Sequence, residues 1–175
     1  MRNIIFYIIS VASLLIISVT SCVKPVSFPP EPEIEYKDFE IQGDSGILSI
    51  TFTDGDGDIG LNENDTLGNF SQDNFFHYNL YIEYYEMMNG EWVKGTQDPT
   101  GNNFPTGDTI NFPFRIKNLT PIGQNKTLKG TINVTLESFF YNPLSNHSDS
   151  IRYAVTLIDR ALNKSNRIVT PLIVK

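Results

Sequence analysis

Cysteine, histidine and basic residues are scarce in this chain. Its 175 residues include one cysteine and two histidines, and 13 Lys and Arg stand against 20 Asp and Glu, for a net charge of −7. A single cysteine excludes a disulfide framework within the chain and a zinc site built on several thiolates. The acidic balance argues against a nucleic-acid partner, because binding phosphates requires a basic face. The hydrophobic share of 40% nonetheless indicates a chain that folds.

The N-terminus carries a long apolar stretch. Arg2 precedes residues 4–19, which are apolar except for three serines. A basic start followed by such a stretch is typical of a secretory signal peptide. The stretch is shorter than the roughly 20 apolar residues that a retained spanning helix needs. We therefore predict that residues 1–21 are a signal peptide that is removed.

The only cysteine lies directly after this stretch. Residues 19–22 read Val-Thr-Ser-Cys, which resembles the lipobox of bacterial lipoprotein precursors. The resemblance implies cleavage before Cys22, attachment of lipid such as palmitate to Cys22, and a membrane partner, because several acyl chains anchor a protein durably. It also implies an outer-membrane lipoprotein of the cell envelope, on either the periplasmic or the outer face. A plain secretory signal with an incidental cysteine is the alternative.

Prolines are frequent after Cys22. Positions 25, 29, 30 and 32 are proline, and proline disfavours helix and keeps the chain extended. Residues 22–33 are therefore predicted to be a Pro-rich tether, in which Lys24–Glu33 is disordered or extended and packs against nothing. Residues 34–175 are predicted to form one domain.

This domain shows the two-residue periodicity of β-strands and no convincing helical pattern. Leu48, Ile50 and Phe52 alternate with other residues, and a similar alternation occupies residues 77–84. Asn89-Gly90 is a strong signal for a two-residue hairpin. About seven short strands separated by turns predict an all-β fold, a two-sheet β-sandwich.

The C-terminal part of the domain resembles immunoglobulin-like and fibronectin-type-III-like modules. Residues 153–166 combine a Tyr-x-Val-x-Leu strand with a polar loop, as in the penultimate strand and hairpin of those modules. The resemblance implies an immunoglobulin-like β-sandwich, in which Tyr153 is either a tyrosine-corner residue or an ordinary core tyrosine. With the Asp-Gly run at residues 54–58, most of the chain resembles small lipoproteins of Bacteroidota-type bacteria. That resemblance implies a fold and a location more than an activity.

An acidic loop follows the second predicted strand. Asp54, Asp56 and Asp58 alternate with glycine, and Asp65 follows. Carboxylates this close repel one another, and calcium, a hard cation that prefers oxygen ligands, would remove that cost. In an immunoglobulin-like sandwich the loop after the penultimate strand lies at the same end, so Asp159 is the fifth candidate ligand. Turn formation is the alternative for the Asp-Gly run, and a turn cap or an ion pair with the adjacent arginine is the alternative for Asp159.

No pattern of catalytic residues stands out, and we predict a binding or structural module rather than an enzyme. Its partner is expected to be a protein or a glycan. The alternative function, a glycan-binding lipoprotein of a polysaccharide-uptake system, is suggested by aromatic residues on which sugar rings can stack: Tyr78, Tyr81, Tyr84, Tyr85 and Trp92. The two-residue period places some of these rings in the core, so their exposure distinguishes sugar binding from packing.

Overall fold

The structure, a computed structural model, describes residues 27–97, 108–122 and 126–175. The predicted signal peptide, residues 1–21, and the predicted lipidation site, Cys22, lie outside these ranges. The described residues form nine strands in two antiparallel sheets, and none of their helices is long and apolar enough to cross a membrane. The strands are β1 (Glu33–Gln42), β2 (Ser45–Asp54), β3 (Leu80–Met88), β4 (Glu91–Lys94), β5 (Asn111–Phe114), β6 (Leu128–Leu136), β7 (Ser150–Leu157), β8 (Ile168–Val169) and β9 (Ile173–Val174).

Strand β2 is the centre of the first sheet, whose order is β1-β2-β6. Its inward residues Leu48, Ile50 and Phe52 are at most 4% exposed, as the alternation in the sequence predicts. The strand pairs antiparallel with both neighbours, and its last residue, Asp54, lies opposite Leu128 of β6. Strand β2 therefore brings Asp54 to one end of the sandwich.

The second sheet has the order β4-β3-β7-β8, with β5 also paired to β3 and β9 also paired to β7. Each edge of this sheet is thus shared by two short strands. Proline accounts for the short length of β5 and for the break between β8 and β9, because it cannot donate a ladder hydrogen bond. Pro113 lies within β5, and Pro171 separates β8 from β9.

A two-residue turn joins β3 to β4, as the pair Asn89-Gly90 predicts. Both residues have positive φ angles, 53° and 86°, which suit the twist of a hairpin. The start of β3 differs from the prediction, because the alternation was expected from His77, whereas the strand begins at Leu80 and His77 ends a 3-10 helix, Phe75–His77. Asn74 caps this helix, and its side chain accepts a hydrogen bond from the Phe76 amide at 3.1 Å.

Tyr153 lies in the core between the two sheets. It is fully buried, and the rings of Phe39, Tyr84 and Phe112 surround it at centroid distances of 5.5, 6.0 and 6.2 Å. Its hydroxyl donates to the backbone carbonyl of Phe140, in the connection that precedes β7. Phe140 lies 13 residues upstream, farther than the few residues that a tyrosine corner spans, so this bond fits a core tyrosine. The predicted all-β sandwich of two packed sheets is confirmed.

The described part of the predicted tether contacts the domain, so the prediction that this segment contacts nothing is wrong there. The Gly55 amide donates to the Pro29 carbonyl at 2.8 Å, Pro32 is buried, and Phe28 is half-buried. A Cβ at position 55 would lie 2.2 Å from the carbonyl oxygen of Phe28. The close approach of the two backbones therefore requires glycine at that position.

Candidate metal centre

Four carboxylates meet at the end of the sandwich where β2 and β7 stop. Asp54 is the last residue of β2, Asp56 and Asp58 follow it, and Asp159 lies two residues after β7 in the opposite sheet. Each side chain offers one carboxylate oxygen, and these four oxygens lie within 4.8 Å of one another. The fold thus brings Asp159 to the acidic loop, as the predicted topology required.

Three of the four aspartates are buried or half-buried, and Asp56 is exposed. Asp54 and Asp159 are 0% and 1% exposed, and Asp58 is half-buried. Oδ2 of Asp54 accepts a hydrogen bond from the Asp58 amide at 2.9 Å, while its Oδ1 is buried without a hydrogen-bond partner. Oδ1 of Asp58 is likewise buried and without a partner. Because buried polar atoms are nearly always paired, these two oxygens are suited to binding a cation.

Hydrogen bonds from the loop after β7 hold the two halves of the cluster together. The Ala161 amide donates to Oδ2 of Asp58 at 2.9 Å. Asp159 accepts from the backbone amide of Asn163 at 2.7 Å and from its side-chain amide at 2.8 Å. Asp159 therefore does cap a turn. That role is compatible with metal binding, because each carboxylate oxygen retains a further lone pair.

Burial and mutual repulsion raise the pKa values of these aspartates. The pKa of Asp54 rises from 3.8 to about 6, through burial first and then through the charge of Asp56. The pKa of Asp58 also rises to about 6, through burial and the charge of Asp159, and burial raises the pKa of Asp159 as well. Among the described residues, no basic side chain forms an ion pair with any of the four. Above pH 6 the cluster is therefore a concentrated negative charge that a cation would stabilise.

Asp65, the remaining predicted ligand, does not join the cluster. Its Oδ2 accepts a hydrogen bond from the Asn62 amide at 2.7 Å and lies 3.3 Å from a guanidinium nitrogen of Arg160. The same guanidinium donates to the Gly60 carbonyl at 3.3 Å. Arg160, the alternative partner considered for Asp159, thus pairs with Asp65 and does not neutralise the four clustered aspartates.

The cluster can hold a metal ion, and it offers that ion oxygen ligands only. Oxygen ligands favour hard cations such as calcium and magnesium over zinc or copper. No family model, curated protein or solved structure matches this chain.

The turn interpretation of the Asp-Gly run applies to its glycines. Gly57 has a φ angle of 68°, and a Cβ there would lie 1.6 Å from the carbonyl oxygen of Lys126. The backbone at this position therefore requires glycine. This requirement explains why glycine separates the aspartates, but it does not explain why four carboxylates converge on one point.

The aromatic residues considered for glycan binding do not form one surface. Tyr84 is 1% exposed and belongs to the core. The Arg152 guanidinium lies over the rings of Tyr85 and Trp92, at 5.6 and 4.3 Å from their centroids. A guanidinium thus lies against these two rings, and Tyr81 is the member of the set that lines a groove.

Tyr81 stacks on Phe75, a residue that the sequence analysis did not single out. The two ring centroids lie 4.5 Å apart and the ring planes differ by 3°. The pair lines a groove of about 470 Å³ on the second sheet, a volume typical of small-molecule sites. Asn74, a favoured cap residue, was the available signal that a turn begins at Phe75.

Proposed function

We propose that this protein is a membrane-anchored extracytoplasmic lipoprotein whose β-sandwich acts as a binding or structural module and holds calcium at one end. The anchor is supported by the basic start, the apolar stretch and the lipobox-like residues 19–22. The calcium site is supported above all by Asp54, which is fully buried among three other carboxylates with one oxygen unpaired.

Calcium fits this cluster better than magnesium does. Calcium accepts six to eight oxygen ligands in a flexible geometry, whereas magnesium requires a near-ideal octahedron and releases its water reluctantly. The four aspartates come from two loops whose hydrogen bonds already fix their positions. Such a group can surround a larger ion without closing into a small octahedral cage.

The calcium site is tested by calorimetric titration of the full chain, purified in detergent, with calcium and with magnesium. Wild-type protein should bind calcium, with a dissociation constant on the order of 0.1–1 mM as in extracellular modules. Asp54→Asn should abolish binding, because the substitution removes one of the converging charges. Asp65→Asn is the matched control and should bind like wild type, since Asp65 lies outside the cluster. Loss of binding in the control alone, or no binding by wild type, would contradict the proposed calcium site.

The anchor is tested separately by metabolic labelling with a palmitate analogue. The wild-type protein should carry the label and fractionate with membranes, and Cys22→Ser should do neither. Because Cys22 is the only cysteine, labelling of the variant to the wild-type level would show that the lipobox interpretation is wrong.

The second candidate function is glycan binding, and the stacked pair of Phe75 and Tyr81 favours it. The pair presents an apolar wall beside polar side chains, and protein sites for small polar ligands combine these two features. The groove and the metal centre share no residue, so calcium binding and glycan binding can be tested with separate variants.

A further inference from the structure

The groove lies on the face of the second sheet that points away from the core. Leu80, Ile82 and Tyr84 of β3 are buried, so the alternate residues Tyr81 and Glu83 face outward. In the ladders, Tyr81 lies opposite Pro113 of β5 and Thr156 of β7. The groove therefore rests on three hydrogen-bonded strands, and its lining includes Phe75, Tyr81, Glu83, Lys94, Asn111 and Lys164.

The apolar wall of the groove is held in place before any ligand arrives. Phe75 is 57% exposed, yet its ring is fixed by the parallel stack on Tyr81. The Tyr81 hydroxyl donates to the Phe75 carbonyl and also contacts the Tyr78 carbonyl at 3.3 Å. A wall that is already ordered loses little entropy when it binds. Aromatic rings carry a negative face, so the weakly positive C–H groups of a sugar ring pack against them.

The charged side chains at the groove have an excess of positive charge. The single carboxylate, Glu83, pairs with Lys94 through Oε1. Its Oε2 accepts two hydrogen bonds from Arg167, at 2.9 Å from Nε and 2.7 Å from Nη2. Lys164 lies 5.9 Å from the Phe75 ring centroid and forms no ion pair with any carboxylate in the described ranges. In a protein of net charge −7, this local excess is complementary to an anionic ligand.

We propose that the groove binds an acidic sugar, a uronic acid or a chain that contains one. The sugar ring packs on the wall formed by Phe75 and Tyr81, and the Lys164 ammonium donates to the sugar carboxylate. The Asn111 side-chain amide is placed to hydrogen-bond sugar hydroxyls. This inference rests on the second candidate function and narrows it from glycans in general to anionic ones.

The test compares two probes that differ only at C6, which is a carboxylate in methyl glucuronide and a hydroxymethyl group in methyl glucoside. Each is titrated into the full chain, purified in detergent, and binding is followed by NMR through the aromatic signals of Phe75 and Tyr81. The glucuronide should shift these signals saturably. The glucoside should bind about tenfold more weakly, because a charge-assisted hydrogen bond is lost.

Two variants locate the binding. Lys164→Gln should reduce glucuronide affinity about tenfold and leave glucoside affinity unchanged, whereas Phe75→Ala should weaken both probes. Lys37→Gln and Phe139→Ala are matched controls on exposed positions away from the groove, and both should bind like wild type.

The outcomes separate this inference from the function on which it rests. Equal binding of the two probes, or glucuronide binding that survives Lys164→Gln, would overturn the anionic preference and leave glycan binding standing. Saturable binding of neither probe would overturn both. Phe75 and Lys164 are surface residues, so their variants are expected to fold. An unchanged melting temperature of each variant confirms that a loss of binding is not a loss of folding.

Discussion

The pH dependence of stability gives the most direct test of the acidic cluster. In the metal-free protein the pKa of Asp54 is about 6 in the folded state and 3.8 in the unfolded chain. When the pKa of a carboxyl group is higher in the folded state than in the unfolded chain, protonation of the group stabilises the folded state. This stabilisation is complete below the pKa of the unfolded chain and is lost as the pH rises through the pKa of the folded state. The metal-free protein should therefore lose stability between about pH 4 and pH 7. Replacing Asp54 by asparagine removes its ionisation and should reduce this loss, while Asp58 and Asp159, whose pKa values are also raised, keep their share.

The size of the effect follows from the same pKa values. Each unit of pKa difference corresponds to about 1.4 kcal/mol, so ionising Asp54 in the folded state costs about 3 kcal/mol. In a chain of this size, 1 kcal/mol moves the melting temperature by about 2–4 °C. The melting temperature should therefore fall by about 6–12 °C because of Asp54. Calcium at 10 to 100 times its dissociation constant adds about 1.4–2.7 kcal/mol, and it should restore about 3–11 °C at neutral pH.

Differential scanning calorimetry with a chelator, and then with calcium, measures both effects. The comparison with Asp54→Asn is essential, because Glu83 contributes a trend of the opposite sign. Burial opposes its ionisation, but hydrogen bonds from Lys94 and Arg167 lower the pKa of Glu83 overall, so its contribution grows as the pH rises through its ordinary range. If the metal-free wild type and Asp54→Asn show the same pH profile, or if calcium stabilises both equally, the reasoning is refuted.

Three further substitutions test packing contacts. Gly55→Ala should lower the melting temperature, because its Cβ would meet backbone oxygens of the tether at 2.2 and 2.5 Å; an unchanged value would mean that the tether is not docked there. Tyr84→Phe should lower the free energy of unfolding, measured with denaturant, by about 1–3 kcal/mol. The backbone amide of Asn142 donates to the Tyr84 hydroxyl at 3.0 Å, and the substitution leaves this buried amide without an acceptor. Tyr153→Phe should cost less than Tyr84→Phe, because it orphans a carbonyl rather than an amide; the reverse order would contradict this account.

Periodicity and topology predicted most of the fold from the sequence. The alternation of Leu48, Ile50 and Phe52 placed β2 correctly, and Asn89-Gly90 placed the hairpin. Topology also predicted the long-range member of the cluster, because Asp159 had to follow a strand that ends beside the acidic loop. These predictions succeeded because they depend on backbone geometry, which a periodic pattern reveals.

The contacts of individual side chains were harder to predict. Asp65 is close to the cluster in sequence, but an ion pair with Arg160 and a local turn bond hold it elsewhere. Tyr84 and Tyr81 belong to one alternating strand, and its pattern carries the signal that separates them, because Tyr84 shares a face with Leu80 and Ile82, whereas Tyr81 lies on the opposite face. The docking of the tether was missed because it depends on a backbone hydrogen bond between Gly55 and Pro29, and the glycine that this approach requires reads in the sequence as part of an Asp-Gly turn.

The metal centre and the tether meet at Gly55. Gly55 lies between two clustered residues, Asp54 and Asp56, and its amide is the donor to the Pro29 carbonyl. Cys22 precedes Pro29 by seven residues, a span of at most about 25 Å, so a lipid there would place the metal centre close to the membrane. Calcium that orders the acidic loop should therefore also hold the tether against the domain.

Hydrogen exchange at the Gly55 amide measures this coupling. If loop opening releases both calcium and the tether, calcium at 100 times its dissociation constant should slow Gly55 exchange about 100-fold. The Gly95 amide, bonded to the Tyr84 carbonyl at 3.0 Å and distant from the cluster in the chain, reports exchange through other openings. Asp54→Asn should remove the calcium effect at Gly55. If calcium slows Gly55 and Gly95 equally, it stabilises the whole domain without a specific effect on the tether, and the proposed coupling is wrong.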